Sequence, residues 1–430
     1  MKLGTAWEDI TPTRLLPLLG QMNQRIATHA RDPLTVNAVV FDDGRERVAV
    51  VSIDVCLLPA KVADRLRQAC ATDIDPANVH VAATHTHLAP CTTRLIDDNP
   101  DPDFLQRLQT ATAAAVRRAI ADIETVELFA GRGYLQHMGW NRRGMRRDGS
   151  CHMYWGSWKE DFVGVEGPRD GDVGVIFARK PSGGPVKAVL SSFSTHPNCI
   201  EGESFYSADL PGELRRVLRA ALGQHLGVVY LTGTAGDTAP SIMLDNPKNL
   251  QPWRNESGLQ RSGIYLASEI LKVISQRISP MTDPVLRHEP AALKIPIRPW
   301  TMDLDLDDPK SPIAPFHDLI KQSQEDWPRM LREESPVACP VSVLRLGDAA
   351  ICFNPGELFC AFGLAIKEKS PARVTLVSEL TDDWVGYVPT PEAIRHGGYG
   401  AMPTTYTRLI PEAGWLMVEK THQLLAQAWR

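Results

Sequence analysis

An apolar stretch closes on two histidines one residue apart in Val79-His80-Val81-Ala82-Ala83-Thr84-His85-Thr86-His87. If extended geometry continues through the pair, both imidazoles point to the same side of the chain, where a metal ion could use one or both. The same placement recurs elsewhere. Ser194-Thr195-His196-Pro197-Asn198, the run 232–241 (TGTAGDTAPS) and Asn354-Pro355-Gly356-Glu357 each follow an apolar segment. Ligand crevices in open α/β sheets lie outside the carboxyl ends of the strands, so four such motifs point to one site. His196 and Glu357 would add a third imidazole and a carboxylate, completing a nitrogen and oxygen set suited to catalytic zinc. Each residue alone has a plainer reading. A histidine before proline is ordinarily a core or surface residue, and a glutamate can open a helix, where the dipole favours it.

The elements that must position these residues alternate in type. Arg47 to Leu58 is a β-branched run, with Pro59 at the first position of a helix over AKVADRLRQACA. Val79 to Thr84 reads as the next strand, and Pro102 to Ile123 as a long amphipathic helix with Asp and Pro at its start. Val186 to Ser194 and Gly227 to Leu231 read as strands, each followed by a helix, 210–222 and 262–276. Past Ile278 the texture becomes proline-punctuated strand, then helix over Ala314 to Glu333. Two strands turn at Leu346-Gly347-Asp348, followed by a helix over Glu357 to Lys367 and a strand over Arg373 to Leu380. This pattern predicts an α/β fold of mixed sheets layered with helices. No repeat or linker-like tract divides the chain, so residues 1–430 are expected to form a single catalytic domain.

Composition excludes several functions. The 430 residues are 43% apolar and 23% charged, ordinary for a globular protein. A net charge of -5 and the lack of a basic run argue against nucleic acid as a partner. The arginines at 142, 143, 146 and 147 are local and read as a loop. The opening MKLGTAWEDITPTRLL is unlike a secretory signal, and no apolar stretch of about 20 residues could cross a bilayer. A cytoplasmic location is expected, with eight cysteines as isolated buried thiols. The expected partner is a small-molecule substrate; self-association into a homo-oligomer stays open.

Six motifs occur in an order that resembles the catalytic domain of the neutral/alkaline ceramidase family. They are Thr84-His85-Thr86-His87, Asn141-Arg142, the His196 motif with Ser207-Ala208-Asp209, Gly236-Asp237-x-x-Pro240, Pro355-Gly356-Glu357 and Gly386-Tyr387-Val388-x-Thr390. The resemblance runs from Gly4 to about Thr405. It implies a zinc-dependent amidase fold with His85, His196, Glu357 and Tyr387 as zinc ligands, and with His87 and Arg142 beside the scissile amide. Tyr387 would either ligate in ionised form or stay protonated and donate to an oxyanion. The chain departs from the family in two places. Ala239 stands where the family has a catalytic serine, with Thr238 and Ser241 out of register, and Leu88-Ala89-Pro90-Cys91-Thr92 replaces the family's Ser-Gly-Pro-Gly-Gly. The family's C-terminal immunoglobulin-like domain is expected to be missing.

The chemistry expected is attack of a zinc-activated water on a carbonyl. His87 would move a proton to the leaving group, Arg142 would hold a polar part of the substrate, and Asp237 or Asp209 would orient an imidazole or else cap a helix. A small polar amide is favoured; a lactone, ester or glycoside, or ligand binding without catalysis, are the alternatives. Trp140, Tyr154, Trp155 and Trp158 could stack on a flat polar ligand or simply pack a loop. His396-Gly397-Gly398-Tyr399-Gly400 reads as a glycine-rich lid.

Overall fold

In a computed structural model, which describes all residues except 96–98, 241–253, 277, 283 and 302–315, three sheets carry the architecture. The first orders its strands Val79–Ala83, Arg47–Ile53, Thr35–Asp42, Lys2–Asp9 and Glu124–Thr125. The second runs Gly227–Thr232, Val186–Phe193, Asp172–Arg179 and Glu127–Tyr134. The third runs Leu286–Ile295, Val337–Leu346, Ala349–Phe353 and Val374–Ser378. Each sheet contains one parallel pair among antiparallel neighbours. The parallel pairs end flush, with Ile53 opposite Ala83, Phe193 opposite Thr232 and Phe353 opposite Ser378.

Alternation explains the layering. In strand Thr35–Asp42, Val36, Ala38 and Val40 join a core shared with helices, while Val39 and Phe41 join a core made of strands. Val39, Phe41, Ala188, Leu190, Val229, Leu231, Ile351, Phe353 and Leu376 meet in that inner core, so all three sheets bury one face against the others. The outer faces take helices. Pro102–Ala121, capped by Asp101, packs on the first sheet. Glu256–Ser275 covers the second, and Ala413–Ala428 the third. In the last helix Met417, Thr421, Leu424, Leu425 and Ala428 are buried, the spacing of one apolar helical stripe. Among the described residues no helix is long and apolar enough to cross a membrane.

The expected α/β layering of mixed sheets is the observed one, with local corrections. The helix expected from Glu357 begins at Cys360, because Glu357 and Leu358 pair in parallel with Tyr387 and Val388. The arginine-rich segment is strand rather than loop. Trp140–Asn141 pairs with Thr238–Ala239, and Arg143–Arg146 is the centre of a three-stranded sheet. The helix expected over 314–333 spans His317–Glu333, its first two expected residues lying outside the described ones.

Candidate active site and metal centre

The carboxyl ends of the three parallel pairs are joined to one another. Thr232 Oγ1 donates to the Thr84 carbonyl at 2.9 Å, the Glu379 amide to the Thr232 carbonyl at 2.9 Å, and the Ala83 amide to the Leu380 carbonyl at 3.1 Å. Residues just past each strand therefore face a common point. The strand before His85 ends at Ala83, and His85 has φ of +68°, a left-handed conformation that a residue with a Cβ adopts at a cost. Two-residue strand periodicity thus does not orient the pair. The turn does, bringing the His85 and His87 rings to 4.9 Å between centroids.

His85 and His196 are each fixed from behind. His85 Nδ1 lies 2.7 Å from the Cys56 carbonyl, and His196 Nδ1 2.6 Å from the Ala235 carbonyl. A nitrogen so close to a carbonyl carries the proton, which leaves Nε2 as a lone-pair donor. Glu357 Oε2 stands 3.4 Å from His85 Nε2 and 3.5 Å from His196 Nε2 and, among the described residues, has no hydrogen-bond donor of its own. All three residues are at most 3% exposed. Three electron-pair donors facing one buried point repel one another without a positive charge between them.

The titration behaviour agrees. Burial opposes a proton on His85, but Cys56 and Glu357 outweigh it and hold the pKa well above the usual histidine range. Burial, then Arg142 and His85, drive His196 well below that range. Burial would raise Glu357, yet the two imidazoles hold it well below an ordinary carboxylate. Without a metal the charge between the donors is a proton on His85, and two imidazoles with a carboxylate are a donor set that fits zinc in its place.

Tyr387 reaches the cluster through strand register, since it is the parallel partner of Glu357. Burial and the Glu357 charge push its phenol well above the usual tyrosine range, which keeps it protonated when no metal ion ligates it. Trp384 Nε1 donates to Glu357 Oε1 at 3.0 Å and fixes that carboxylate from the other side. Arg142 is buried beside them. Its Nη2 donates to the Gly236 carbonyl at 3.0 Å and lies 3.1 Å from His196 Nε2 and 3.2 Å from the Tyr387 hydroxyl. His85, His87, Arg142, His196, Glu357 and Tyr387, gathered from five segments of sequence, thus meet in one place.

His87 Nε2 stands 3.4 Å from His85 Nε2, and its Nδ1 bonds to Glu201 Oε2 at 3.0 Å. Burial lowers the His87 pKa and keeps the ring neutral. Burial would raise the Glu201 pKa, but the bond to His87 and the charges around it bring it down to about 2. The other Glu201 oxygen pairs with Arg254. Arg25 donates to the carbonyls of His87 at 2.7 Å and Glu201 at 2.9 Å, locking the two segments together. Glu201 is thus the carboxylate that orients an imidazole, and neither aspartate expected for that role does so. Asp237 accepts from Asn141 Nδ2 and from the Cys360 amide, both at 2.7 Å. Asp209 accepts from the amides of Cys199, Ile200 and Leu210. Nothing in the sequence marks Glu201, an acid five residues past His196 with Glu203 close behind it. Cys56 was hidden too, inside the apolar run read from Arg47 to Leu58, because the strand ends at Ile53 and leaves it three residues beyond.

Of the four aromatic residues expected to stack on a ligand, Tyr154 reaches the cluster. Its hydroxyl accepts from Asn198 at 3.0 Å and Arg254 lies 4.8 Å over its ring. Trp155 lies between Arg146 and Lys159, Trp140 lies under Arg169, and Trp158 is half-buried. The glycine-rich loop is moored: Arg143, paired with Glu166, donates to the carbonyls of Gly397 at 2.7 Å and Tyr399 at 2.8 Å. The Tyr399 ring meets that of Tyr387 at 5.5 Å. Ala239 is buried opposite Trp140, and the Thr238 hydroxyl donates to the Ser194 carbonyl at 3.2 Å. Ser241 lies outside the described residues.

No protein-family model and no curated protein matches the sequence. Solved structures do match the fold. Neutral ceramidase from Pseudomonas aeruginosa aligns with a TM-score of 0.77 at 16% identity, over 99% of this chain and 74% of that one. A ceramidase complexed with C2 aligns with a TM-score of 0.72 at 15% identity, with the same coverage. The chain therefore has a neutral-ceramidase-like fold. At such identity the likeness speaks to architecture and leaves the reaction to the site's own residues.

Proposed function

We propose that this protein is a zinc-dependent hydrolase that cleaves an amide C–N bond in a small polar substrate. The observation that carries this reading is the convergence of His85 Nε2, His196 Nε2 and Glu357 Oε2 within 3.5 Å contacts, each imidazole's other nitrogen already committed to a carbonyl. Zinc held by these three would supply a water acidified to a pKa of about 7 and an electrophile for the carbonyl oxygen. Tyr387, protonated, donates a hydrogen bond toward the oxyanion as the carbonyl is attacked. Arg142 presents a fixed cation to the same oxygen or to a neighbouring polar group of the substrate. His87, neutral and with its Nδ1 proton held by Glu201, takes a proton at Nε2 and returns it to the departing nitrogen. The net change adds water across the bond, hydroxyl to carbon and hydrogen to nitrogen.

An amide is favoured over an ester, lactone or glycoside by the fold neighbours, which are ceramidases by name. A small polar substrate is favoured by the surroundings, where Arg254, Tyr154, Asn198 and Glu201 adjoin the cluster. The eight cysteines are free and buried, which suits action in the cytoplasm. A second reading, a ligand-binding protein without catalysis, is favoured by Ala239, which offers no hydroxyl. Metal analysis of the purified protein and a panel of amides, esters, lactones and glycosides assayed with and without chelator decide between them. Stoichiometric zinc and chelator-sensitive amide cleavage are expected. Protein without stoichiometric metal would end the enzyme reading, and metal-loaded protein inert to the whole panel would favour the second.

A further inference from the structure

The His85 ring faces a second group of donors. Cys56 lies three residues past strand Arg47–Ile53, and its Sγ is 3.8 Å from His85 Nδ1. Cys56, His85 and His87 offer ligand atoms that all lie within 4.8 Å of one another, and all three side chains are buried. Because Glu201 holds the Nδ1 proton of His87, its Nε2 is a lone-pair donor aimed at His85. The three therefore form a sulfur-nitrogen-nitrogen set that shares His85 with the nitrogen-nitrogen-oxygen set of His85, His196 and Glu357. A thiolate selects soft, thiophilic ions, whereas a carboxylate favours harder ones.

We propose that Cys56, His85 and His87 form a second binding set for a thiophilic divalent cation, exclusive of the first because the Cys56 carbonyl holds the Nδ1 proton of His85 and leaves Nε2 as the one nitrogen both sets can use. Ligation exchanges the Cys56 thiol proton, released to solvent, for the metal. It also occupies His87, so an ion bound there takes away both a ligand of the first set and the proton carrier. The binding stands by itself; its inhibitory consequence rests on the hydrolase reading.

Cadmium is the probe, and the readout is the ultraviolet sulfur-to-cadmium charge-transfer band of the full-length protein. Wild type is expected to develop the band to saturation at one ion per chain, and zinc-loaded protein to release its zinc as the band grows. Cys56→Ser should lose the band and still bind zinc. His196→Ala, which disrupts only the first set, should lose zinc and keep the band. A band of equal size in wild type and Cys56→Ser, or one that grows without zinc release, would overturn the proposal. Should Cys56→Ser fail to fold, His87→Asn decides: the band should be lost, and its retention refutes the site. A protein that takes cadmium through Cys56 but never binds zinc would refute the hydrolase reading and leave this one standing.

Discussion

His85 combines a left-handed backbone with a ring that touches both donor sets, so changes around it separate metal binding from proton transfer. His196→Ala and Glu357→Ala are expected to lose stoichiometric metal, read by elemental analysis, while Arg142→Ala keeps the metal and loses turnover. Equal metal loss in all three would contradict the roles given to them. Glu201→Gln should keep the metal and lower turnover by roughly 100-fold, since a positioned general acid-base is worth about that much. It should also change acid stability. The Glu201 pKa falls from an ordinary value near 4.5 to about 2 on folding, so its contribution is complete above pH about 4.5 and is lost as pH falls toward 2. The variant's stability, followed by denaturant titration across that range, should therefore decline less steeply than the wild type's. An identical slope would show that Glu201 is not held as an ion by its neighbours.

At the scale of elements, short pairings set the site's geometry. Glu357 and Tyr387 are neighbours because a two-residue parallel pair puts them there, and Gly386 makes that pair possible. Its φ is +91°, and a Cβ would sit 1.9 Å from the Tyr406 carbonyl oxygen. Gly386→Ala is expected to cost more than about 1 kcal/mol and to lower metal content, because the pair must shift; unchanged stability would argue against this account. Behind the same segment, Asp382 accepts from His80 Nδ1 at 2.7 Å and from the Val81 amide at 2.9 Å, tying the strand that leads to His85 to the loop that leads to Tyr387. The buried Arg143–Glu166 pair moors the loop beside Tyr387. Glu166→Gln leaves that guanidinium without its counter-charge and should destabilise the protein by about 3 kcal/mol or more, measured by chemical denaturation.

Across the whole molecule, one inner core shared by three sheets makes their packing mutual: no sheet keeps its inner face covered if another leaves. A single calorimetric transition is therefore expected for the fold. A ligand that binds only the folded chain stabilises it by about 2.7 kcal/mol at 100 times its dissociation constant. Chelation of the metal should accordingly lower the midpoint of that transition, and re-addition of zinc should restore it. Indifference to chelator would count against a metal bound in the native state.

The sequence by itself determined the layers and several strand ends, but not that of Arg47–Ile53, whose apolar run continues to Leu58. Two-residue and helical periodicities are local, and a motif past an apolar run reports a strand's carboxyl end without knowledge of its neighbours. Val79–Ala83, Val186–Phe193 and Gly227–Thr232 were readable to within a residue for this reason. The start of the helix at Cys360 was not, because Glu357 answers to a strand partner 30 positions away. Only the tertiary structure decided that Glu201, not Asp237 or Asp209, orients His87, that Arg143 holds the glycine-rich loop, and that Cys56 lies beside His85. Side-chain contacts between distant segments depend on where whole sheets meet, and no spacing within the chain records that distance.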